Sequence, residues 1–249
     1  MSTGSVVYAL MALGIVGLGS DTAISQGRTE GTQAEINGDR AARPGTLSWR
    51  ARTAKANGKD RLSLREPEGF PPVVTSLDQA LADYSVLLVQ PVATQTVVDD
   101  SRIYTWYKGK VVDAFSKRPP APVELSLDKL PKEMIPQQLL PLLRDEVLVL
   151  RHGGTVTVEQ VTITSADPRF PDFSLFQKYL LFLSLDSSGK VAFLPMGVDG
   201  AFKLAALGNR LEPIHASEHP VQDDIANLFG GSFDRFRQRV SPQRKEGVR

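Results

Sequence analysis

Among its 249 residues the chain has no cysteine. That excludes disulfides, thiolate metal sites, a cysteine nucleophile and an anchor built on a lipid-bearing cysteine. Histidine is nearly as scarce, with three copies at His152, His215 and His219. Charge of one sign is also missing: 29 Lys+Arg face 28 Asp+Glu, a formal net charge of +1. No global field therefore draws the chain to nucleic acid or an anionic membrane. There is no G-x-S-x-G elbow, no phosphate-binding Walker loop and no G-x-G-x-x-G turn, so the common signatures of hydrolases and nucleotide binders are absent. What is left, 41% hydrophobic and 23% charged, is the composition of an ordinary globular chain.

The longest apolar run, Val6 to Leu18, falls short of the roughly 20 residues that cross a bilayer as a helix. It shows no polar face, and Ala23-Ile24-Ser25 before Gln26 fits the small-x-small pattern of a signal-peptidase site. Residues 1–25 are read as a cleavable export signal, which places the chain in the periplasm or outside the cell. An uncleaved N-terminal segment is the one membrane contact this implies. From 26 to 71 the large apolar residues are few and scattered (Ile36, Leu47, Trp49, Leu62, Leu64, Phe70) among nine Arg/Lys. The segment is read as a disordered linker, unable to bury enough surface to offset its ordering entropy. It serves as a solvated tether or touches an anionic polymer outside the cell.

Order is expected from about residue 72. Ser76-Leu77-Asp78-Gln79 has capping-box spacing and opens an amphipathic helix over about 76–83. Val86 to Val98 and Arg102 to Val112, separated by Asp99-Asp100-Ser101, read as a long hairpin, with Pro91 at an edge or bulge. The proline-rich stretch 116–145 reads as a helical excursion packed across one mouth of a barrel. Strands resume at Glu146 to Arg151 and at Thr155 to Ile163, where the apolar parity switches in the manner of a β-bulge. Tyr179 to Leu185, apolar on both parities, reads as a central strand, and Val191 to Leu194 follows it. Asp223 and Asp224 favour a helix start, and Phe233, Phe236 and Val240 form a second helical stripe. The fold class expected is mainly β. It is a small OB-like closed or half-open β-barrel over 72–212, with a short N-terminal helix, a mid-chain helical excursion, a C-terminal helical segment over 213–240 and a disordered tail over 241–249.

One set of residues carries a resemblance. Ala82-Asp83-Tyr84-Ser85 leading into Val86-Leu87-Leu88-Val89, then Ile103-Tyr104-Thr105-Trp106-Tyr107-Lys108, then Gly153-Gly154, then Tyr179-Leu180-Leu181-Phe182-Leu183 resembles a class of uncharacterised exported bacterial proteins. Their OB-type barrel is similar to netrin and metalloproteinase-inhibitor modules. The resemblance covers about residues 78–205 and implies a barrel and an exported protein. The family pattern has Gly-Glu where this chain has Gln177-Lys178. The chain also lacks the N-terminal cysteine such inhibitors present to zinc, so protease inhibition is not implied.

The candidate ligand-binding residues are Tyr104, Trp106 and Lys108, with Lys110 on the same parity of one strand, as in an outward aromatic and basic strip. His152 and Arg169 join them from loops. His215 and His219 stand four apart, but Pro213 and Pro220 argue against the helix that would pair them on a metal. No metal and no cofactor is expected. The primary reading is an exported non-catalytic module that binds an unknown protein or cell-envelope polymer through the barrel face or the excursion. One alternative is an envelope hydrolase using His152, Asp167 and Asp172. Another is an oligonucleotide- or saccharide-binding barrel, with nucleic acid disfavoured by export and neutral charge.

Overall fold

The computed structural model describes residues 43–65, 73–115, 127–167, 172–205 and 209–240. The expected export signal, the first part of the linker, the C-terminal tail and Arg169 lie outside the described residues.

The barrel begins with α2, Leu77–Asp83. Ser76 caps it as the spacing predicts, accepting the Gln79 amide at 3.2 Å. The Gln79 side chain reaches one residue further back than a strict capping box and accepts from the Thr75 N–H. Strand β2, Ser85–Val98, then turns through Asp99–Arg102 into β3, Ile103–Ala114. Their register shifts twice, between Leu88 and Val89 and between Pro91 and Ala93. The shifts let β2 coil, and Pro91 sits at the second one, beyond the last β2 residue paired with β7 (Tyr179–Leu185). Gly109 belongs to the same bend, because a Cβ there would run into a Val89 methyl.

Strand β4 (Glu146–His152) pairs antiparallel with β3 and parallel with β8 (Val191–Phe193), and β8 pairs back onto β7. The circuit β7-β2-β3-β4-β8-β7 is a closed five-stranded, OB-like barrel in which the fourth strand returns beside the first, a Greek-key order. Its interior is filled by alternate residues of all five strands, among them Leu87, Val89, Tyr107, Val147, Val149, Leu181, Leu183 and Ala192. Two further strands, β9 (Ala201–Leu204) and β10 (Leu211–Pro213), extend the sheet beyond β7. Strand β7 is buried on both faces, as its sequence implies, with Tyr179, Leu181 and Leu183 in the barrel interior and Leu180 and Phe182 in the cluster on its outer side.

The outer faces are covered as well. Over β2, β7 and β9 lie α2 and the C-terminal helices α3 (Pro220–Phe229) and α4 (Phe233–Val240). Phe115, Phe229, Phe233 and Phe236 meet there edge to face, with ring centroids 5.6–5.9 Å apart. Helix α3 starts three residues before the Asp223 expected to open it. His219 is the N-cap and Pro220 takes the first helical position, where its missing N–H is harmless. Asp224 instead accepts the Leu77 N–H of α2 at 2.7 Å, tying the two helices together.

The described part of the excursion, three 3-10 turns at Leu127–Lys129, Lys132–Met134 and Gln137–Leu139, does not cross a barrel mouth as expected. It lies flat on the outer face of β3, β4 and β8, burying Met134 and Leu139 against Trp106, Leu148 and Val191.

Two corrections concern the part outside the barrel. The segment read as part of a linker contains a helix, α1 (Leu47–Ala56), and a strand, β1 (Arg61–Arg65). The run read as one bulged strand over Thr155–Ile163 is a hairpin of β5 (Gly154–Val158) and β6 (Val161–Ala166). Strand β1 adds parallel to β6, and α1 packs Leu47, Ala51 and Ala54 on Val156, Val158, Val161 and Ile163. The result is a three-stranded sheet, β1-β6-β5, with one helix-covered face, set against Ile103 and Val98 of the long hairpin. Gly153 permits this junction: its φ of +89° is left-handed, and a Cβ would lie 2.6 Å from the Ser165 carbonyl oxygen.

Candidate functional site

The strip Tyr104, Trp106, Lys108 does share one outward parity of β3, and the excursion covers it. Trp106 is wholly buried, and its indole N–H donates to the Met134 carbonyl at 2.9 Å. Tyr104 is buried beside the half-buried His152, directly opposite it in the β3–β4 register, with ring centroids 5.0 Å apart. Lys108 is occupied by Glu146 at 3.0 Å and the Pro141 carbonyl at 3.3 Å. Burial works against the Glu146 carboxylate, but the Leu143 N–H and Lys108 outweigh it and hold its pKa below the usual value. The expected binding strip is therefore packing. Its aromatic pattern is what a barrel strand needs when both of its faces are buried.

The inward parity of the same strands leads to the other expected residues. Arg151 of β4 is buried, and its guanidinium meets Asp172 Oδ1 at 2.8 Å. The Tyr107 hydroxyl donates to the same oxygen at 3.3 Å. Next to Asp172, Phe173 turns into the barrel interior, edge-on to Tyr107 and tilted against Tyr179. The Ser174 N–H donates to the Tyr179 hydroxyl at 2.9 Å. Burial, with the Asp172 charge adding to it, pushes the Tyr107 phenol up to about 12. Residues 172–174 thus stopper one end of the barrel with an ion pair on the rim and a ring inside. Arg151 and His152 are consecutive in a strand, so they face opposite sides of β4. Asp172 consequently sits with Arg151 and Tyr107 rather than on the His152 face.

His215 and His219 do not share a helix. His219 accepts the Val221 N–H as a cap, and the His215 backbone carbonyl accepts from Gln222. Among the described residues no group of three or more His, Cys, Asp or Glu could hold a metal ion, and no helix is long and apolar enough to cross a membrane.

The feature with the strongest charge asymmetry among the described residues is the α1–β1 segment. Residues 43–65 hold seven Lys/Arg against Asp60 alone, whereas the other described residues hold fourteen against nineteen Asp/Glu. Two of the seven grip the β5–β6 turn: Arg52 pairs with Glu159 at 2.8 Å, and Lys55 donates to Gln160 Oε1 at 3.1 Å. Arg50 folds back on the Gly45 carbonyl at 3.1 Å. Lys59, Arg61 and Arg65 are exposed along the end of the helix and the strand. This concentration is visible in the sequence as the nine Arg/Lys of the supposed tether. What the sequence reading missed is that folding gathers most of them on one compact unit.

No family model, curated protein or solved structure matches this chain.

Proposed function

We propose that the protein is an exported, non-catalytic binding module, that its ligand is an anionic partner of the cell envelope, and that the α1–β1 segment receives it. One observation carries the reading: a molecule neutral as a whole concentrates seven cations against one acid within residues 43–65. Asymmetry of that kind marks a surface that meets negative charge. The barrel faces and the described part of the excursion are engaged in packing. Export is supported by the Val6–Leu18 run and the small-residue site at Ala23–Ser25, and by the resemblance to exported barrel proteins.

The test is binding of the full chain to dextran sulfate, with neutral dextran of the same length as the control. Binding is expected for the sulfated polymer only, with log K falling linearly as log salt rises, because counterions are released. Equal affinity for the two dextrans at low salt would overturn the reading.

A further inference from the structure

The three-stranded sheet has one face under α1 and one face outward. Strand alternation decides which residues the outward face carries. On β1, Leu62 and Leu64 turn toward α1, so Arg61, Ser63 and Arg65 turn away from it and are exposed. On β6 and β5 the apolar residues also face α1, and the alternate positions are all threonines or alanine: Thr162, Thr164, Ala166, Thr155 and Thr157. The pairing aligns them in rows across the sheet. Arg61 stands opposite Thr162, which stands opposite Thr157. Ser63 stands opposite Thr164, which stands opposite Thr155. The Thr155 and Thr164 hydroxyls lie 3.1 Å apart. Neighbouring rows are about 7 Å apart along the strands, and neighbouring strands about 4.8 Å apart. The outward face is thus a shallow grid of hydroxyls, with a cation at each end of its edge strand.

We infer that this face binds an acidic polysaccharide, a chain of sugar rings bearing carboxylates, with Arg61 and Arg65 on the carboxylates and the Ser/Thr rows on the ring hydroxyls. The inference rests on the anionic-partner reading and names the ligand class. Four observations choose the sugar. A hydroxyl both donates and accepts, so a grid of them is matched by a polymer whose groups also do both. A phosphodiester backbone offers acceptors only. Binding single-stranded nucleic acid relies on aromatic platforms, and the outward positions of β1, β6 and β5 hold no aromatic residue. A membrane surface needs an extended apolar face; Leu47, Ala51 and Ala54 of α1 are already spent on the sheet, which leaves Trp49 alone as an exposed large apolar side chain of that helix. Guanidinium meets carboxylate in a bidentate fork, which suits a uronate at either end of β1.

The experiment measures binding of the full chain to an oligouronate, with dextran, dextran sulfate, a single-stranded oligonucleotide and phosphatidylglycerol vesicles as parallel arms. The oligouronate is expected to bind more tightly than dextran sulfate of equal charge. Arg61→Gln/Arg65→Gln is expected to weaken it about tenfold or more. Thr155→Val/Thr164→Val keeps the β-branched shape and removes only the hydroxyls; it is expected to weaken oligouronate binding severalfold and leave dextran sulfate binding unchanged. Circular dichroism of each variant should match the parent. Preference for the oligonucleotide or the vesicles, or no effect of the threonine pair, would overturn the inference and leave the anionic-partner reading standing. Failure of every charged arm would overturn both.

Discussion

Tyr107 shows how one residue can tie a loop to a barrel. Its ring belongs to the interior, while its hydroxyl leaves the apolar region to reach Asp172 beside Arg151. With the phenol pushed up to about 12 against an ordinary value of 10.0, the folded state favours the neutral form. The stabilisation is complete below pH 10 and is lost as pH rises through about 12. In an alkaline absorbance titration Tyr107 should ionise in a late step near pH 12, and the Tyr84 phenol, which burial also pushes up, should ionise above the ordinary range as well. Tyr107→Phe should remove that late step, and it should reduce the loss of stability between pH 10 and 12. A Tyr107→Phe titration identical to the parent's would show that the phenol is not shielded. Position 107 was legible in the sequence as an inward strand residue. Its partner was not, because Asp172 lies 65 residues away and nothing local points to it.

At the scale of elements, the β5–β6 hairpin holds stored cost. Its two turn residues, Glu159 and Gln160, have φ of +48° and +69°, a left-handed pair that such turns normally fill with Asn-Gly. Each costs on the order of 1 kcal/mol, and Arg52 and Lys55 hold them from α1. Gln160→Gly should therefore raise stability by about 0.5–1 kcal/mol, read as a higher urea midpoint at unchanged slope; a lower midpoint would mean the Lys55 contact outweighs the strain. The same turn explains a misreading. With neither Gly nor Asn to mark it, the parity switch between Val158 and Val161 looks like a bulge. The helix α1 is hidden for a related reason: two of its three buried residues are alanines, Ala51 and Ala54, which complete an apolar stripe without adding large apolar residues to the count. By contrast α2, the β2–β3 hairpin, Pro91 at a bulge and the doubly covered β7 all follow from capping, turn and periodicity signals that are local. The candidate site divides along the same line. The cations of 43–65 are plain in the sequence, but the rows that align Arg61 with Thr162 depend on pairing segments about 100 residues apart, which only the fold reveals.

The described residues form a filled barrel wrapped on two sides, with a small charged sheet attached to its long hairpin. Its pairings fall into two classes of sequence distance. The β2–β3 ladder closes through the turn at Asp99–Arg102 and forms most of its contacts locally. The barrel shuts only when Ser85 of β2 meets Leu183 of β7 and Leu148 of β4 meets Val191 of β8, and the β1–β6 pairing is about as distant in sequence as the first of these. Loop closure must be met before such distant pairs stabilise anything. The barrel seam is accordingly expected to form late. Leu181→Ala, within β7, should mainly speed unfolding, while Val97→Ala, near the tip of the hairpin, should mainly slow refolding, the two limbs of a chevron separating them. The double register shift in β2 then has a temporal meaning as well as a geometric one: the curvature that lets the barrel close is already present in the hairpin before the strand that closes it arrives.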